Sequence, residues 1–515
     1  MFISVTPMAR WLVVFLLCFL SPLLSAQEAA SQQLDLKPEA SPLLVGEKVP
    51  GENGRHPEDI IGAVCVIRHG DKLVMMSEVI TRKLSLPGGY IDTGDTPEQA
   101  ARREALEETG IDVTVSDLIQ YRGRAAIYSC VAKTPILVSS FRDYTGHLIV
   151  ASWFSKHFAT EIERVYLIDP QDVSAKAYRY AEDAELLPLW LEKTPNSEVL
   201  VYSDLSDQVN FLHQLELVLI KGFQQGVSQW PQPLQNMFEG MMFLMNLPGE
   251  PWFVAVLLVA IAGFFGPKAL IEFLFVLILA SFTSSLLKYG IASPRPSVII
   301  PELQKINAYG FGFPSGHTLL ATLLWGIFWH VLLRVVKAPY KWLITFGICI
   351  MIAGQAVARV WYGVHFISDT IMSVMLGLVI VALVIVWRGD ESNQYHRLLM
   401  TKWFWLFITM VVGIVASFTL VPSHAYLFAG MLGVFLTCDY VAKQPVRARK
   451  VQCQQGFLHS VVIALGFALL AWTVNFVASL STVSLLVLAI KGVGAMIVTV
   501  WLVGSTTYLH CKYQK

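Results

Sequence analysis

Long hydrophobic runs fill the second half of the chain. From Pro251 onward about nine of them follow one another, at 251–266, 269–287, 317–336, 342–358, 366–387, 403–421, 425–441, 456–479 and 482–507. A helix needs about 20 apolar residues to cross the hydrocarbon core of a bilayer, and each run is close to that length. The pattern therefore predicts an all-α polytopic bundle that crosses the membrane many times.

The first half follows another pattern. Between Ile60 and about Trp190, short apolar runs alternate with turn residues, which is typical of a soluble α/β or α+β domain. Before it, residues 1–26 join a basic start to a short apolar run and small residues, which predicts an export signal, either cleaved or kept as an anchor. Residues 27–57 are rich in Pro, Glu, Ser and Gly, and they are predicted to be a linker.

These patterns predict a multidomain chain. In chain order, we expect a signal peptide or anchor at 1–26, a linker at 27–57, a soluble domain at 58–195, a helical connector at 196–249, the core of the membrane domain at 250–390 and additional membrane helices at 403–507. The sequence indicates no role for the additional helices. Lys491, within the last of them, is expected either to pair with a polar group or to reach the membrane surface.

Composition supports a membrane protein and excludes one class of partner. Hydrophobic residues make up 55% of the chain and charged residues 15%, against about 25% charged in soluble proteins. Lys+Arg and Asp+Glu both number 38, so no broad basic surface is available and no nucleic-acid partner is expected. The cysteines do not form a CxxC pair; Cys65 and Cys130 could pair if their domain is exported.

The charges between the hydrophobic runs predict an orientation. Lys and Arg are concentrated in the loops at 334–341, 388–402 and 442–450 and are absent from those at 421–425 and 479–482. Cytoplasmic loops carry the excess of positive charge. We therefore expect a multi-pass protein of the inner (plasma) membrane, with the soluble domain on the periplasmic face. If residues 232–248 also crossed the bilayer, the soluble domain would instead be cytoplasmic.

Three polar segments stand at the ends of predicted spans, all on the exported side. They are K288-YGIASP-RP296, FPSGHT at 313–318 and R359-VWYGV-HFISD369. Lys288, Arg295 and Arg359 bring three positive charges to one membrane face, which suits a phosphate group. Ser315 and Gly316 open a long helix, whose free backbone N–H groups bind anions. The segments together predict a phosphate site.

Two histidines and an aspartate supply chemistry there. A carboxylate from Asp369, four residues after His365, would orient the imidazole so that its other nitrogen acts as a nucleophile. His317 is then available as the acid that protonates the leaving oxygen. No carboxylate cluster accompanies these segments, so no metal is required. Basic residues at helix ends and histidines at interfaces are common without function, but not three segments in this order and sidedness.

The three segments resemble the type 2 phosphatidic acid phosphatase family of membrane lipid phosphatases. Its pattern is K-x6-RP, PSGH and SR-x5-H-x3-D, and the chain departs from it only at Ala358, where the family usually has Ser. The resemblance covers roughly residues 235–390. It implies the following roles: His365 becomes phosphorylated, Asp369 is its partner, His317 is the general acid, and Lys288, Arg295, Arg359 and the amides of Ser315 and Gly316 hold the phosphate.

A second pattern lies in the soluble domain, at residues 88–111. Thr96 is a good N-cap, Pro97 suits the first helical position, Gln99 completes a capping box, and Gly110 ends the helix. This helix presents three carboxylates on one face, from Glu104, Glu107 and Glu108. Such carboxylates repel one another unless a hard divalent cation lies among them, which predicts Mg²⁺ or Mn²⁺. A solvated acidic helix face is the alternative.

The same stretch resembles the Nudix box, G-x5-E-x7-RE-U-x-EE-x-G-U, from Gly89 to Ile111. Asp95 stands where the family has its first Glu. The resemblance implies an α/β/α sandwich that cleaves a nucleoside diphosphate linked to another group. It also implies Glu104, Glu107 and Glu108 as the metal ligands.

The two resemblances together predict a bifunctional hydrolase. We expect the membrane domain to remove phosphate from a lipid phosphate or diphosphate, with undecaprenyl diphosphate first and phosphatidylglycerol phosphate and phosphatidic acid next. No cofactor is expected at that site, and a nucleotide-like substrate is possible for the Nudix domain. An anchored pyrophosphohydrolase and a non-enzymatic lipid carrier or scaffold are the alternatives.

Overall fold

The computed structural model describes residues 60–143, 146–389, 394–443 and 453–512. The predicted signal segment and linker lie outside these residues. The described chain consists of a sheet domain, residues 60–202, and a membrane domain, residues 211–512. The two are in contact with each other.

A mixed, curled sheet forms the sheet domain. Its strands among the described residues are β1 (Gly62–His69), β2 (Lys72–Glu78), β3 (Leu84–Ser85), β4 (Gly88–Tyr90), β5 (Val113–Arg122), β6 (Ala125–Ala132), β7 (Ile136–Arg142), β8 (Leu148–Val150), β9 (Ile162–Ile168) and β10 (Val199–Tyr202). Their order is β10-β7-β8-β9-β2-β1-β6-β5, with β3 beside β2 and β4 beside β1. β1 and β6 run parallel in the middle of the sheet.

Helices cover both faces of this sheet. α1 (Pro97–Thr109) packs on one face and α2 (Leu187–Glu192) on the other. Successive residues of a strand point to opposite faces. Cys65 and Ile67 of β1 accordingly pack with Ala101 of α1, whereas Val66 packs with Trp190 of α2. The arrangement confirms the predicted α/β/α sandwich. A disulfide joins Cys65 to Cys130 on the neighbouring strand β6.

The membrane domain is all helical among the described residues. Its helices are α3 (Phe211–Ser228), α4 (Gln232–Asn246), α5 (Pro251–Phe265), α6 (Pro267–Ile291), α7 (Pro296–Ile299), α8 (Gly316–Val335), α9 (Lys341–Trp361), α10 (Ile367–Arg388), α11 (Gln394–Leu399), α12 (Lys402–Thr419), α13 (Pro422–Ala442), α14 (Cys453–Ser479) and α15 (Ser484–Lys512). Within the described chain, 8 are long and apolar enough to cross a membrane, or up to 9 spans if α4 and α5, bent by 55°, count as one. The predicted multi-pass bundle is thereby confirmed.

The additional C-terminal helices pack closely on the helices before them. Gly263 of α5 faces Ser460 of α14 so tightly that a Cβ on the glycine would lie 2.0 Å from the Ser460 Oγ. The His510 ring of α15 lies 3.0 Å from the Ala262 carbonyl oxygen. Small residues permit such close helix contacts in membranes, where packing drives association. α14 and α15 therefore form one bundle with the core helices.

The sheet domain lies at the end of the bundle where the three polar segments emerge. Tyr202 donates a hydrogen bond to the Val298 carbonyl oxygen at 3.2 Å, between the first and second polar segments. The Lys491 ammonium of α15, whose partner the sequence left open, donates to the Ile80 carbonyl oxygen of the sheet domain at 3.1 Å. The domain and the polar segments thus share one side of the bundle.

Candidate active sites

The three polar segments converge at one end of the membrane domain. Lys288 is in the last turn of α6, Ser315 is the N-cap of α8, and Arg359 is in the last turn of α9. The chain then reverses at Gly363, which has φ 67°. A Cβ there would lie 2.1 Å from the Leu303 carbonyl oxygen, so only glycine allows this tight connection to α10.

His365 lies at the centre of this site and is 1% exposed. Its Nε2 is 3.2 Å from Nη1 of Arg295, and its Nδ1 is 3.6 Å from Oδ2 of Asp369. α10 begins at Ile367, after the histidine, but Asp369 reaches back and also accepts from the Phe366 backbone N–H at 2.9 Å. Burial, with the nearby Arg295 and Arg359 charges, lowers the pKa of His365 well below its usual value. A neutral imidazole with Nε2 directed at the cations is the arrangement that a nucleophile requires.

Backbone carbonyls hold the cations of the site. Arg295, 7% exposed, donates to the carbonyl oxygens of Tyr309, Gly310 and Val364 at 2.8–2.9 Å. Lys288 donates to the carbonyl oxygens of Phe311 and Gly312, at 2.7 and 3.3 Å. Since carbonyl oxygens are neutral, they fix the cations in place without cancelling their charge. The site is therefore suited to an anion with several oxygens.

A polar network beside His317 was not anticipated from the sequence. Glu250, between α4 and α5, has its Oε1 3.6 Å from Nε2 of His317 and accepts from the Asn246 amide at 2.6 Å. The side-chain oxygen of Asn246, Oδ1, accepts from Gln355 at 3.0 Å and from Arg359 at 3.2 Å. The polar residues Asn246 and Glu250, just before the first predicted span, were the sequence signal that could have indicated this network. The network joins the bend between α4 and α5 to Arg359.

A cavity of about 240 Å³ lies beside Lys288 and Gly316. Serine side chains line much of it, from Ser281, Ser284 and Ser285 of α6 and from Ser423 of α13. A cavity that presents hydroxyl groups beside Lys288 suits the head group of a phosphorylated lipid. Because Ser423 belongs to α13, one of the additional helices contributes to the wall of this cavity. The sequence did not indicate this contribution.

The acidic helix of the sheet domain has the predicted ends. The Thr96 Oγ1 accepts from the Gln99 backbone N–H at 3.3 Å, and the Gln99 side chain accepts from the Thr96 N–H at 2.9 Å, so the capping box is confirmed. Gly110, with φ 75°, ends the helix. A Cβ at Gly89 would lie 2.5 Å from Oε1 of Glu104, so a side chain there would displace that carboxylate. Strand β4 therefore lies directly against the carboxylates.

Two of the predicted metal ligands meet a histidine from a distant part of the chain. Ligand atoms of Glu104, Glu107 and His157 lie within 4.8 Å of one another. Glu108, 6% exposed, accepts instead from the Gly88 backbone N–H at 2.8 Å. Burial raises the pKa of both Glu104 and Glu108. Carboxylates with one imidazole fit Mg²⁺ or Mn²⁺.

Cations of the protein already neutralise these carboxylates. Arg103 donates to Glu104 at 2.9 Å and to Asp95 at 3.0 Å. The Lys156 ammonium lies 2.5 Å from Oε1 of Glu107. Asp95, the shorter carboxylate at the first acidic position of the box, thus pairs with Arg103. His157 was missed in the sequence because it lies far from the box along the chain.

Comparisons with known proteins find two families in the chain. The profile described as the PAP2 superfamily matches residues 269–393, and that described as the NUDIX domain matches residues 59–190. A lipid phosphate phosphatase delta of Arabidopsis thaliana is 29% identical over 108 residues, 19% of this chain and 26% of that protein. An 8-oxo-dGTP diphosphatase of Haemophilus influenzae is 29% identical over 115 residues, 22% of this chain and 75% of that protein. The chain thus spans about a quarter of the length of the first relative.

Solved structures resemble each half separately. A transmembrane PAP2-type phosphatidylglycerolphosphate phosphatase from Bacillus subtilis is 21% identical with a TM-score of 0.30, covering 36% of this chain and 92% of that one. An ADP-ribose pyrophosphatase from Streptococcus suis is 18% identical with a TM-score of 0.20, covering 27% and 95%. An N-terminal region that matches the NUDIX domain is thus followed, in the same chain, by a membrane region that matches the PAP2 superfamily.

Proposed function

We propose that the membrane domain removes phosphate from a lipid phosphate or diphosphate through a phosphohistidine at His365. The observation that carries this proposal is the buried His365, placed between Asp369 and the Arg295 guanidinium in a pocket of cations at the membrane surface. The lipid phosphate phosphatase relative supports the substrate class.

In this mechanism His365 Nε2 attacks the phosphorus atom while the bond to the leaving oxygen breaks. The electron pair of that bond goes to the leaving oxygen, and His317 supplies the proton. The leaving group is the lipid alcohol for a monophosphate and the lipid monophosphate for a diphosphate. Water then attacks the phosphohistidine, His317 accepts its proton, and inorganic phosphate is released. Lys288, Arg295, Arg359 and the Ser315 and Gly316 amides stabilise the charge of the transferred group.

We propose undecaprenyl diphosphate as the preferred substrate, with phosphatidylglycerol phosphate and phosphatidic acid as the next candidates. The cavity of about 240 Å³ lined by serines next to Lys288 provides room for a polar group beyond the transferred phosphate. A diphosphate uses that room and offers further oxygens to Lys288. The same cavity would accept a glycerol head group, so the three lipids have to be compared directly.

We place the phosphatase site and the sheet domain on the periplasmic face of the inner membrane. The positive loops predict this orientation, and the disulfide between Cys65 and Cys130 is typical of proteins in oxidising compartments. We retain 58–195 and 250–390 as the boundaries of the two catalytic domains, with 196–249 as the connector and 403–507 as the additional helices. Protease protection in spheroplasts tests the placement: a shielded sheet domain would contradict it.

A second activity is proposed for the sheet domain. Glu104, Glu107 and His157 would hold Mg²⁺ or Mn²⁺, with Glu108 as the predicted further ligand. The bound cation would neutralise a diphosphate and polarise the bond to be cleaved. The Haemophilus relative supports a nucleotide-like substrate. Strand β4 and helix α1, which lie on either side of these carboxylates, would bind and orient that diphosphate.

The first experiment measures phosphate release from undecaprenyl diphosphate by the purified full-length protein, with EDTA or with added Mg²⁺. Release that persists in EDTA is expected, because the histidine site uses protein cations. Release only with Mg²⁺ would assign the reaction to the acidic site and leave the membrane domain as an anchor or an enzyme for another lipid. The same assay with phosphatidylglycerol phosphate and phosphatidic acid ranks the substrates.

A further inference from the structure

The 308–312 segment lies between the two domains and holds the phosphate-site cations. Four consecutive carbonyl oxygens of this segment accept hydrogen bonds from Arg295 and Lys288, at distances between 2.7 and 3.3 Å. Arg295 is buried under it, and Lys288 is half-buried. Any displacement of this backbone therefore moves the groups that bind phosphate.

The sheet domain contacts the same segment from the other side. Arg164 of β9 donates to the Ala308 carbonyl oxygen at 2.5 Å. Arg82 donates to the Tyr309 hydroxyl at 3.2 Å, and its guanidinium lies 5.6 Å from the centre of that ring. The segment is thus held by arginines of the sheet domain on one side and itself holds the cations of the phosphate site on the other.

The 155–160 segment of the sheet domain adds an apolar contact at this place. The Phe158 ring, 8% exposed, packs edge-on against Phe311 with centroids 5.2 Å apart. The Ala159 carbonyl oxygen accepts from the Tyr289 hydroxyl at 2.8 Å, and Tyr289 directly follows Lys288 in α6. These contacts hold both the 308–312 segment and the end of α6 that carries Lys288.

The beginning of the 155–160 segment touches the acidic site. Lys156 pairs with the Glu107 side chain at 2.5 Å, and the His157 backbone N–H donates to the Glu107 carbonyl oxygen at 2.9 Å. The Ser155 hydroxyl donates to the Glu108 carbonyl oxygen at 3.2 Å. A cation bound by Glu107 and His157 must compete with Lys156 for the carboxylate. One short segment therefore contacts both sites.

We propose that the sheet domain is a positioning element of the phosphatase site, and that the 155–160 segment couples cation binding at the acidic site to phosphate affinity in the membrane domain. The inference rests on the proposed function of both sites. Arg164 and Phe158 are positioning residues, since they act on Arg295 and Lys288 through the 308–312 segment. Coupling of this kind is reciprocal: each ligand changes the affinity of the other by the same factor.

The positioning role is tested with Arg164→Ala in the full-length protein. We expect the inhibition constant of inorganic phosphate and the KM for the lipid to rise at least fivefold, with a smaller change in kcat, and Arg164→Lys to restore much of the affinity. The control is Arg122→Ala, which removes an arginine that pairs with Asp183 inside the sheet domain. A phosphate affinity of Arg164→Ala within twofold of the unmutated protein would overturn this role.

The coupling is tested by binding alone. Mn²⁺ affinity is measured by electron paramagnetic resonance with and without inorganic phosphate, and phosphate affinity by calorimetry with and without Mn²⁺. The factor by which phosphate changes the Mn²⁺ affinity should equal the factor by which Mn²⁺ changes the phosphate affinity, and it should be at least threefold. We expect Phe158→Ala and the milder Phe158→Leu to reduce this factor towards one. Affinities of the unmutated protein that do not change when the other ligand is added would overturn the coupling.

A control variant excludes phosphate that binds directly to the cation. Arg359→Ala removes a phosphate-site cation without touching the sheet domain, so the effect of phosphate on Mn²⁺ should disappear; its survival would overturn the proposal. The failures are distinguishable. Reciprocal binding without lipid turnover would contradict the proposed function, whereas turnover with independent affinities would contradict only the coupling.

Discussion

The two candidate sites of this protein use opposite charges. The candidate site of the membrane domain brings together Lys288, Arg295 and Arg359, which backbone carbonyls and an asparagine hold in place. The sheet-domain site presents Glu104 and Glu107, which repel a phosphate unless a cation lies between them. The charges that would bind phosphate in the first site belong to the protein itself, whereas in the second site a divalent cation from solution would have to compete with Arg103 and Lys156 for the carboxylates. Their responses to chelation, pH and mutation should therefore differ.

The largest effect is expected from removing the proposed nucleophile, His365. His365→Ala should lower lipid phosphatase activity by roughly 10³-fold or more, because no other group replaces the attacking nitrogen. Metal-dependent hydrolysis by the sheet domain should remain. Phosphate release in steady-state assays of both reactions measures this, with His330→Ala, a partly exposed histidine of α8, as control. Retained lipid phosphatase activity in His365→Ala would refute the histidine mechanism.

Glu107→Gln should have the opposite effect, removing the activity of the sheet domain while leaving that of the membrane domain. Losing one charged ligand should lower the metal-dependent activity on the order of 10²-fold or more, since the cation contributes several kcal/mol to the transition state. Mn²⁺ binding by electron paramagnetic resonance should weaken in parallel. Lipid phosphatase activity in EDTA should persist. The exposed Glu98→Gln at the start of α1 is the control, and unchanged Mn²⁺ affinity in Glu107→Gln would move the cation elsewhere.

Acid should weaken cation binding at the carboxylate site. Burial raises the pKa of Glu104, so its proton competes with the metal at higher pH than at an exposed glutamate. The Mn²⁺ dissociation constant should therefore rise as pH falls from 7 to 5, by up to about tenfold per unit for each proton displaced. In Glu104→Gln this dependence should become shallower. A pH-independent affinity would contradict the assignment.

A smaller effect is expected at the unpredicted carboxylate of the membrane site. Glu250→Gln removes the charge beside His317 and should slow lipid release about tenfold, a part of the contribution of general acid catalysis. An aryl phosphate with an acidic leaving group needs no proton, so its hydrolysis should change little. Glu239→Gln on the exposed side of α4 is the control. Equal losses with both substrates would argue that Glu250 does not act through His317.

The smallest effect is expected on the stability of the acidic helix α1. Thr96→Ala removes the N-cap and should destabilise α1 by about 1 kcal/mol. Hydrogen–deuterium exchange of α1 amides in the full-length protein should accelerate several-fold, with Thr114→Ala on an exposed strand position as control. Unchanged exchange would mean that packing against β1, rather than the cap, sets the stability of this helix.

Features that depend on neighbouring residues could be predicted from the sequence. The capping box at Thr96, the helix end at Gly110 and the membrane spans after Pro251 follow from local spacing and hydrophobicity. The three polar segments were predicted to share one side, because the number of spans between them determines it. These predictions needed no knowledge of packing.

Only the tertiary structure decided which distant residues join each site. His157 meets Glu107, Glu250 meets His317, and the 308–312 segment lies between the cations and the sheet domain. None of these pairs has a fixed spacing, since the intervening loops set no distance between their ends. The sequence determined two chemistries and their helices, because these depend on local hydrogen bonding and on the length of apolar runs. The tertiary structure decided how the two sites contact each other, because contacts between domains depend on complementary surfaces that no local pattern encodes.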